Sequence, residues 1–525
     1  MRSGFGRGAL LVLSALAVLS VSLLSGCGAG AKRKTAPSRE SPLGGAPTTP
    51  ALSYAPGSKV RRPNIVFVLT DDLSRDLVAF MPQVQALRTR GLTFDNYIVS
   101  DSLCCPSRAS ILTGNFPHDT GVLGNTPDVG GFATFYQRGD EATAFNVALQ
   151  RAGYATAMMG KYLNGYLERG QDPVAPNYIP PGWTEWDVAG FGYPEFNYAI
   201  NINGTIREFG HRPRDYLTDV IAARGVDFID RMAARHRPFF LELATFAPHR
   251  PYTPAPRDAH DFPGLGAPEP PNFDVTPTHP PRWLAGHSPL DHRKLRLINR
   301  AFRKRAQSVQ SVDRMISQIE AALEANHLTG DTYILFSSDN GLHTGEYRLT
   351  PGKLTAFDTD IRVPLIVAGP GVPVNRRTEL FAQNIDLAKT FEALAGTAPT
   401  PDDGISLLPI LRGRTPPNWQ NAALIEHHGP ADDPRDPDRQ NHDTGNPPTY
   451  EAMRTGDFLY VEYIDGEREF YNLRVDPFEL HNLAGKLTAG QLTTLHAALE
   501  RLAQCHTGAA CQAAAHVPQL THVPS

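Results

Sequence analysis

The chain has 525 residues, of which 41% are hydrophobic and 20% are charged, and its formal net charge is −4. This composition is typical of a globular protein and excludes a disordered chain, a collagen and a long coiled coil as descriptions of the whole. A slightly negative chain offers no general basic surface, so we expect no nucleic-acid partner. The length leaves room for one large domain and a smaller one.

The N-terminus has the features of an export signal. Two arginines precede an apolar run at 9–24, which is short for a membrane-spanning helix but suits a signal peptide. The run ends in Leu-Ser-Gly-Cys27, which resembles the lipobox of bacterial lipoproteins. We therefore expect a signal peptide at 1–26, a lipid on Cys27, and a flexible tether at 27–62 that holds an exported protein at the membrane. A plain secretory signal with an incidental cysteine would instead give a secreted protein, and a short anchor is a further alternative.

Short apolar runs alternate with stretches of helical spacing along the first two thirds of the chain. Residues 64–70 form a continuous apolar run before two acids, which predicts a strand buried on both faces. Apolar residues at steps of three and four in 309–323 predict a helix whose function is packing. In chain order the sequence predicts strand 64–70, helix 81–90, strands 155–159 and 239–245, helix 309–323, and strands 332–336 and 363–368. This alternation predicts an α/β fold with helices on both sides of a sheet and an active site beyond the carboxyl ends of the strands.

Two irregular segments interrupt this pattern. Residues 251–281 contain ten prolines and are expected to form a rim of the site, and residues 427–448 look like a loop between domains. Beyond them the sequence predicts antiparallel strands at 458–463 and 468–473 and a helix at 489–503. We therefore place a catalytic domain at 63–425 and a C-terminal subdomain, a small antiparallel sheet plus a helix, at 426–525.

The cysteines near the C-terminus are expected to pair. Cys505 and Cys511 lie close together in a chain predicted to be exported, which favours a local disulfide over two free thiols.

Acidic and amide side chains follow two of the predicted strands. Asp71 and Asp72 come directly after the strand at 64–70, and Asp339 and Asn340 follow the strand at 332–336. If the two strands are parallel neighbours, these oxygen ligands converge and select a hard cation, Ca²⁺ or Mg²⁺. Each pair alone is equally typical of turns and helix caps.

A cysteine motif adds a third element. Cys104, in Cys-Cys-Pro-Ser-Arg108, lies just before a predicted helix start, where backbone N–H groups and the helix dipole attract an anion. Arg108 can stabilise charge beside Cys104. The alternative is a structural pair of buried cysteines, Cys104 and Cys105.

With these residues in place, the sequence is similar to the type I sulfatases, in which the cysteine of Cys-x-Pro-Ser-Arg is oxidised to Cα-formylglycine. The resemblance covers almost the whole mature chain and is most like the N-acetylglucosamine-6-sulfatase or arylsulfatase branch. It implies an alkaline-phosphatase-like fold with a large mixed sheet between helices. The further motifs that carry it are, in order, 64–72, 160–164, 247–251, 338–341, 345–346, 352–353 and 470–479.

The resemblance implies a role for each site residue. Asp71, Asp72, Cys104, Asp339 and Asn340 match the metal site, which in the family usually holds Ca²⁺ rather than Mg²⁺. A formylglycine made from Cys104 by a formylglycine-generating enzyme would attack sulfur as its hydrate. Lys161 and Lys353 match the lysines that bind sulfate, and His249 matches the acid that protonates the leaving oxygen.

One position departs from the family pattern. Many members carry histidine two residues after the lysine of the Gly-Lys motif, where this chain has Leu163. The base that eliminates sulfate is therefore in doubt, and His343 is our candidate. Asn164 is a possible substrate ligand there, and Cys105 occupies a variable position of the motif.

These observations predict an exported hydrolase of sulfate esters, with a sulfated sugar or an aryl sulfate as substrate. A phosphodiester or phosphonate monoester hydrolase of the same superfamily is the nearer alternative. A lipid-anchored glycan-binding protein without catalytic activity is the alternative from another class.

Overall fold

A ten-stranded mixed sheet forms the centre of the computed structural model, which describes residues 62–168 and 170–520. Its strand order is β10-β2-β9-β8-β1-β7-β3-β4-β5-β6. The strands are β1 Asn64–Thr70, β2 Leu92–Ile98, β3 Ala155–Lys161, β4 Glu185–Ala189, β5 Tyr198–Ile202, β6 Thr205–Phe209, β7 Phe239–Ala244, β8 Thr332–Ser338, β9 Leu365–Ala368 and β10 Arg376–Gln383. The five adjacent strands from β8 to β4 are parallel, so their carboxyl ends meet at one edge of the sheet.

The central strand β1 is buried on both faces. Ile65, Phe67 and Leu69 belong to one hydrophobic core, and the alternating residues Val66 and Val68 belong to a second core on the other side. Successive side chains of a strand point to opposite faces, so helices must cover both sides of the sheet. The predicted α/β sandwich is confirmed.

The helices lie on both faces of the sheet, in agreement with the two cores. They are α1 Pro82–Arg90, α2 Cys104–Thr113, α3 Pro117–Thr120, α4 Gly131–Arg138, α5 Phe145–Arg151, α6 Leu217–Ala234, α7 His292–Ala325, α8 Asp358–Ile361, α9 Asp386–Ala395, α10 Leu408–Leu411, α11 Ala489–Ala503 and α12 Gly508–Ala514. The longest, α7, packs against α6, and α5 packs against α9. No helix among the residues described has the length and apolar character needed to cross a membrane.

A four-stranded antiparallel sheet precedes the last two helices. Its strands follow chain order and are β11 Ala422–His427, β12 Tyr450–Thr455, β13 Phe458–Tyr463 and β14 Arg468–Asn472. Tyr460 and Phe470 pack with Leu499 and Leu502 of α11 in a third core, and Cys505 and Cys511 form the predicted disulfide. Strand β11 crosses position 425, where the sequence placed a domain boundary, and that boundary stays a prediction.

Most predicted elements lie where the sequence placed them. Strands β1, β3, β7 and β8 and helix α11 are found, with β3 extended to Lys161, and β9 begins at Leu365. Cys104 is the first residue of α2 rather than the residue before it. The predicted signal peptide, the lipid on Cys27 and nearly all of the tether at 27–62 lie outside the described residues.

Candidate active site

The carboxyl ends of β1 and β8 bring the predicted oxygen ligands together. The two strands are parallel neighbours, with Thr70 opposite Ser338. The amide N–H of Asp72 donates to Oδ1 of Asp339 over 3.2 Å, and Nδ2 of Asn340 donates to Oδ1 of Asp72 over 2.7 Å. Asp72 has a left-handed φ of 62°, a costly conformation that this hydrogen bonding holds in place.

The donor set fits a hard divalent cation. Asp71, Asp72, Asp339 and Asn340 are all buried and offer oxygen atoms. Oδ1 of Asn340 is a buried acceptor with no hydrogen-bond partner among the described residues. This is expected of an oxygen that serves as a cation ligand. Carboxylate and amide oxygens are the ligands that Ca²⁺ and Mg²⁺ prefer. A group that could hold a metal is also formed by Asp71, Asp72, Cys104 and His249, whose ligand atoms lie within 4.8 Å of one another.

Cys104 lies at the start of α2, directly beside these acids. Its Sγ is 3.2 Å from Oδ1 of Asp71, 3.3 Å from Oδ2 of Asp438 and 3.0 Å from Nζ of Lys353. The side chain is completely buried. Burial, and then the charges of Asp438 and Asp71, raise the pKa of the thiol well above its usual value. An unmodified cysteine here therefore stays a protonated thiol, which is a poor nucleophile.

Three buried cations face the acids. Nζ of Lys161 is 2.7 Å from Oδ2 of Asp71, and Nζ of Lys353 is 2.6 Å from Oδ1 of Asp72. Arg108 donates from Nε to Oδ2 of Asp339 over 2.7 Å and from Nη1 to the carbonyl of Lys161. Burial lowers the pKa of both lysines, but the neighbouring carboxylates outweigh burial and raise it, so both lysines are charged.

His249 follows β7 and reaches the same cluster. Its Nδ1 is 2.6 Å from the carbonyl oxygen of Arg250, and its Nε2 is 2.5 Å from Oδ1 of Asp438 and 3.6 Å from Oδ2 of Asp72. Burial lowers the pKa of the imidazole, but the two carboxylates, Asp438 first, raise it to about 9. These carboxylates favour the protonated form of His249, the form that a general acid requires.

His343 has other contacts. Its Nδ1 lies 3.0 Å from Oδ2 of Asp360 and its Nε2 lies 3.0 Å from the carbonyl oxygen of Thr444. Both nitrogens are thus engaged away from Cys104, and the role of His343 as the eliminating base stays a prediction.

The position at which many family members carry histidine is apolar and buried in this chain. Leu163 is buried in the hydrophobic core, and both amide atoms of the neighbouring Asn164 are buried without a partner among the described residues. The Sγ of Cys105 accepts from the backbone N–H of Asn164 over 3.1 Å. Cys105 thus contacts the backbone beside Leu163, and no contact of its Sγ with Cys104 is found among the described residues.

Asp438 is the site residue that the sequence analysis missed. It lies in the segment 427–448, interpreted above as a loop between domains, yet its carboxylate is buried among Cys104, His249 and Lys353. Its Oδ2 also accepts from Nδ2 of Asn125 over 2.8 Å. The one signal in the sequence was the run of aspartates there, and that composition is equally typical of a solvated linker.

The same segment closes the site. A cavity of about 30 Å³ lies between His249, Lys353 and Asp438, with Pro437 and Gln440 also in its wall. Sites for small organic ligands usually measure about 300–1,000 Å³. This cavity is therefore smaller than a usual site for a whole sugar, and residues 437–440 and Thr444 of the segment form part of its wall.

Comparisons with known proteins identify the family of the chain. Residues 63–397 match the family model described as Sulfatase, and residues 345–505 match the model described as N-sulphoglucosamine sulphohydrolase, C-terminal. The chain therefore belongs to the sulfatase family, and it is a sulfuric ester hydrolase. The catalytically silent binding protein considered above is set aside.

Individual relatives resemble the chain over most of its length. N-acetylglucosamine-6-sulfatase of Homo sapiens is 36% identical over 481 residues, which cover 86% of each chain. A solved structure of a protein in complex with its substrate, D-glucosamine-2-N,6-O-disulfate, has a TM-score of 0.68 and 25% identity and covers 84% of this chain and 97% of that one. A phosphonate monoester hydrolase of Agrobacterium radiobacter shares the fold, with a TM-score of 0.62, 20% identity and 84% and 95% coverage.

Proposed function

We propose that the enzyme releases sulfate from a sulfated amino sugar, with the 6-O-sulfate ester of N-acetylglucosamine as the first candidate. The observation that carries the proposal is the 36% identity to human N-acetylglucosamine-6-sulfatase across 86% of both chains. The structural neighbour bound to a glucosamine disulfate supports the same class of substrate.

The family implies a formylglycine and a divalent cation, and we place the formylglycine at position 104 and the cation at Asp71, Asp72, Asp339 and Asn340. Together they supply an oxygen nucleophile and positive charge beside the sulfate when bound. The donor set admits both Ca²⁺ and Mg²⁺, and we propose Ca²⁺ because the resemblance favours it.

The charged side chains of the site would act on the substrate directly. Lys161 and Lys353 would bind sulfate oxygens, because both ammonium groups are buried beside Cys104 and Asp71. His249 would give its proton at Nε2 to the leaving alcohol oxygen. Arg108 would hold Asp339 and the end of β3 in position, through the two hydrogen bonds it donates.

Release of sulfate from defined sugars tests the substrate. N-acetylglucosamine-6-sulfate should be hydrolysed in preference to the 3-sulfate isomer and to galactose-6-sulfate. An aryl sulfate and an aryl phosphodiester are assayed in parallel. Preference for the phosphodiester would support the phosphonate hydrolase alternative and contradict our proposal.

The modification of Cys104 has its own test. We expect mass spectrometry of the peptide that spans Cys104 to show an aldehyde in place of the thiol when a formylglycine-generating enzyme is present. Cys104→Ala should abolish turnover and leave the unfolding temperature nearly unchanged, whereas Cys105→Ala should keep most of the activity. An active Cys104→Ala variant would contradict covalent catalysis.

We further propose that the mature enzyme is an exported lipoprotein anchored through Cys27. The support is the apolar run at 9–24 that ends at this cysteine. Cys27→Ser should remove fatty-acid labelling and shift the protein from the membrane fraction to the medium. A labelled Cys27→Ser variant, or an unlabelled wild-type protein, would contradict the anchor.

A further inference from the structure

A second cluster of metal-ligating side chains lies at the edge of the segment that closes the site. Ligand atoms of His287, His442 and Asp443 lie within 4.8 Å of one another. The rings of His287 and His442 are stacked, with centroids 4.0 Å apart and planes inclined by 13°. The cluster differs in kind from the oxygen ligands beside Cys104, because two of its three members offer imidazole nitrogen.

His287 has the features of a preformed ligand. Its side chain is buried, with only 5% of the residue exposed, and its Nε2 has no hydrogen-bond partner in the part of the chain that the structure describes. The ring is hydrogen-bonded to the backbone of Trp283, an arrangement that orients metal-binding histidines elsewhere. Burial and the nearby His442 lower the pKa of His287 to about 4, so the ring is neutral. A buried nitrogen without a partner loses its hydration with no compensating hydrogen bond, and a bound ion would compensate for that loss.

The other two ligands can adjust to an ion. The side chain of His442 is 64% exposed, so its ring can tilt out of the stack until both nitrogens face one point. Asp443 binds Nζ of Lys294 through Oδ1 over 2.8 Å, and the same oxygen lies 3.9 Å from Nδ1 of His442, so a bound ion would take the place of Lys294. Two histidines and one carboxylate are a common protein ligand set for Zn²⁺, with a further position for water.

The backbone of the cluster is anchored to the catalytic domain. The carbonyl of Asp443 accepts from the N–H and the hydroxyl of Thr350 over 2.7 and 3.0 Å, and Arg348 donates to the carbonyl of His287 over 2.9 Å. The three side chains are thus presented by two segments whose backbones are both hydrogen-bonded to residues 348–350.

We propose that His287, His442 and Asp443 bind a divalent transition-metal ion, with Zn²⁺ as the probe. The ion ties the turn at 442–444 to the segment that carries His287. Since this turn adjoins the part of the chain that closes the catalytic cavity, the bound ion holds the closing segment in place.

Calorimetric titration of the full-length enzyme with ZnCl₂, in excess Ca²⁺ to saturate the oxygen site, tests this proposal. We expect wild-type protein to bind Zn²⁺, and His442→Ala, which removes an exposed ligand without disturbing the core, to weaken that binding by at least about tenfold. His506→Ala is the matched control, because His506 is an exposed histidine of another His/Asp cluster, with His118 and Asp119. Binding that is absent from wild type, unchanged in His442→Ala, or lost in His506→Ala overturns the site.

Thermal unfolding gives an independent reading. Zn²⁺ should raise the unfolding temperature of wild type and of His506→Ala, but not that of His442→Ala or His287→Gln, because an ion that binds only the folded state stabilises it. An equal rise in all four proteins overturns the proposal.

Discussion

The charges around Cys104 are balanced by side chains that come from distant parts of the chain. Four carboxylates, of Asp71, Asp72, Asp339 and Asp438, face four cations, which are Arg108, Lys161, Lys353 and protonated His249. Buried charges persist only when they are paired. Removal of one partner therefore leaves an uncompensated charge beside the reacting groups.

Asp438→Asn tests this balance at the residue scale. Asp438 is the carboxylate that most raises the pKa of His249, so its loss should lower that pKa from about 9. Because we propose the protonated form of His249 as the acid, the alkaline limb of the profile of kcat/KM against pH should move to lower pH. The profile of kcat/KM reports the free enzyme and is the measurement to make.

Asp433→Asn is the control for this substitution, because Asp433 lies in the same segment but pairs with Arg435 at the surface. Its profile should match that of wild type. An unmoved alkaline limb in Asp438→Asn would contradict the coupling between Asp438 and His249.

At the scale of elements, the close packing of β3 against β7 holds Lys161 in the site. Gly160 precedes Lys161 and has a φ of 104°, and a Cβ there would lie 1.9 Å from the carbonyl oxygen of Ala244. Only glycine permits this approach of the two strands. The last residue of β3 is thereby aimed at the acids beyond β1.

Gly160→Ala should therefore lower both stability and activity. Gly153→Ala is the matched control, because Gly153 also has a positive φ, of 93°, but its Cβ would meet nothing within 4 Å. The control should cost about 1–2 kcal/mol from the backbone conformation alone. Gly160→Ala should cost clearly more in urea unfolding, and equal losses would show that the contact with Ala244 is unimportant.

At the scale of the whole molecule, His118 connects the large sheet region to the small sheet. His118 in α3 is 2.8 Å from Oε1 of Glu426 in β11 and 2.8 Å from the carbonyl oxygen of Cys505. Burial lowers the pKa of His118, but the hydrogen bond and charge of Glu426 outweigh it and raise the pKa to about 9. The folded state thus binds a proton that the unfolded chain releases near pH 6.5.

This difference predicts a pH-dependent stability. A raised pKa stabilises the folded state fully below pH 6.5, and the contribution is lost as the pH rises through 9. With a discount for solvent screening of this partly exposed pair, His118→Gln should reduce the free energy of unfolding by about 2 kcal/mol near pH 6 and by much less above pH 9. His496→Gln, in an exposed pair with Glu462, should have little effect at either pH. A loss for His118→Gln that does not depend on pH would contradict the linkage.

The sequence predicted the parts of the molecule that local patterns determine. Continuous apolar runs located β1, β7 and β8, and the spacing at 489–503 located α11. Asp71 and Asp339 could be brought together because neighbouring parallel strands end at one edge of the sheet.

Asp438 could not be predicted in this way. It is 334 residues from Cys104 and lies in an irregular segment. An irregular segment has no hydrophobic periodicity from which its contacts with the rest of the fold could be predicted. The position of His343 three residues after Asn340 does not determine the direction in which its ring points. In the structure the ring contacts Asp360.

The complete burial of Cys104 limits when this residue could be modified. An enzyme that oxidises Cys104 would have to bind the peptide on either side of it. In the folded protein this peptide includes the first turn of α2, in which every residue is buried. If Cys104 becomes the aldehyde that we propose, the conversion therefore has to precede folding of this part of the chain. Under our proposal, a chain that folds before this conversion keeps the thiol and stays inactive. The active fraction of a preparation would then measure how much of the protein was modified before it folded.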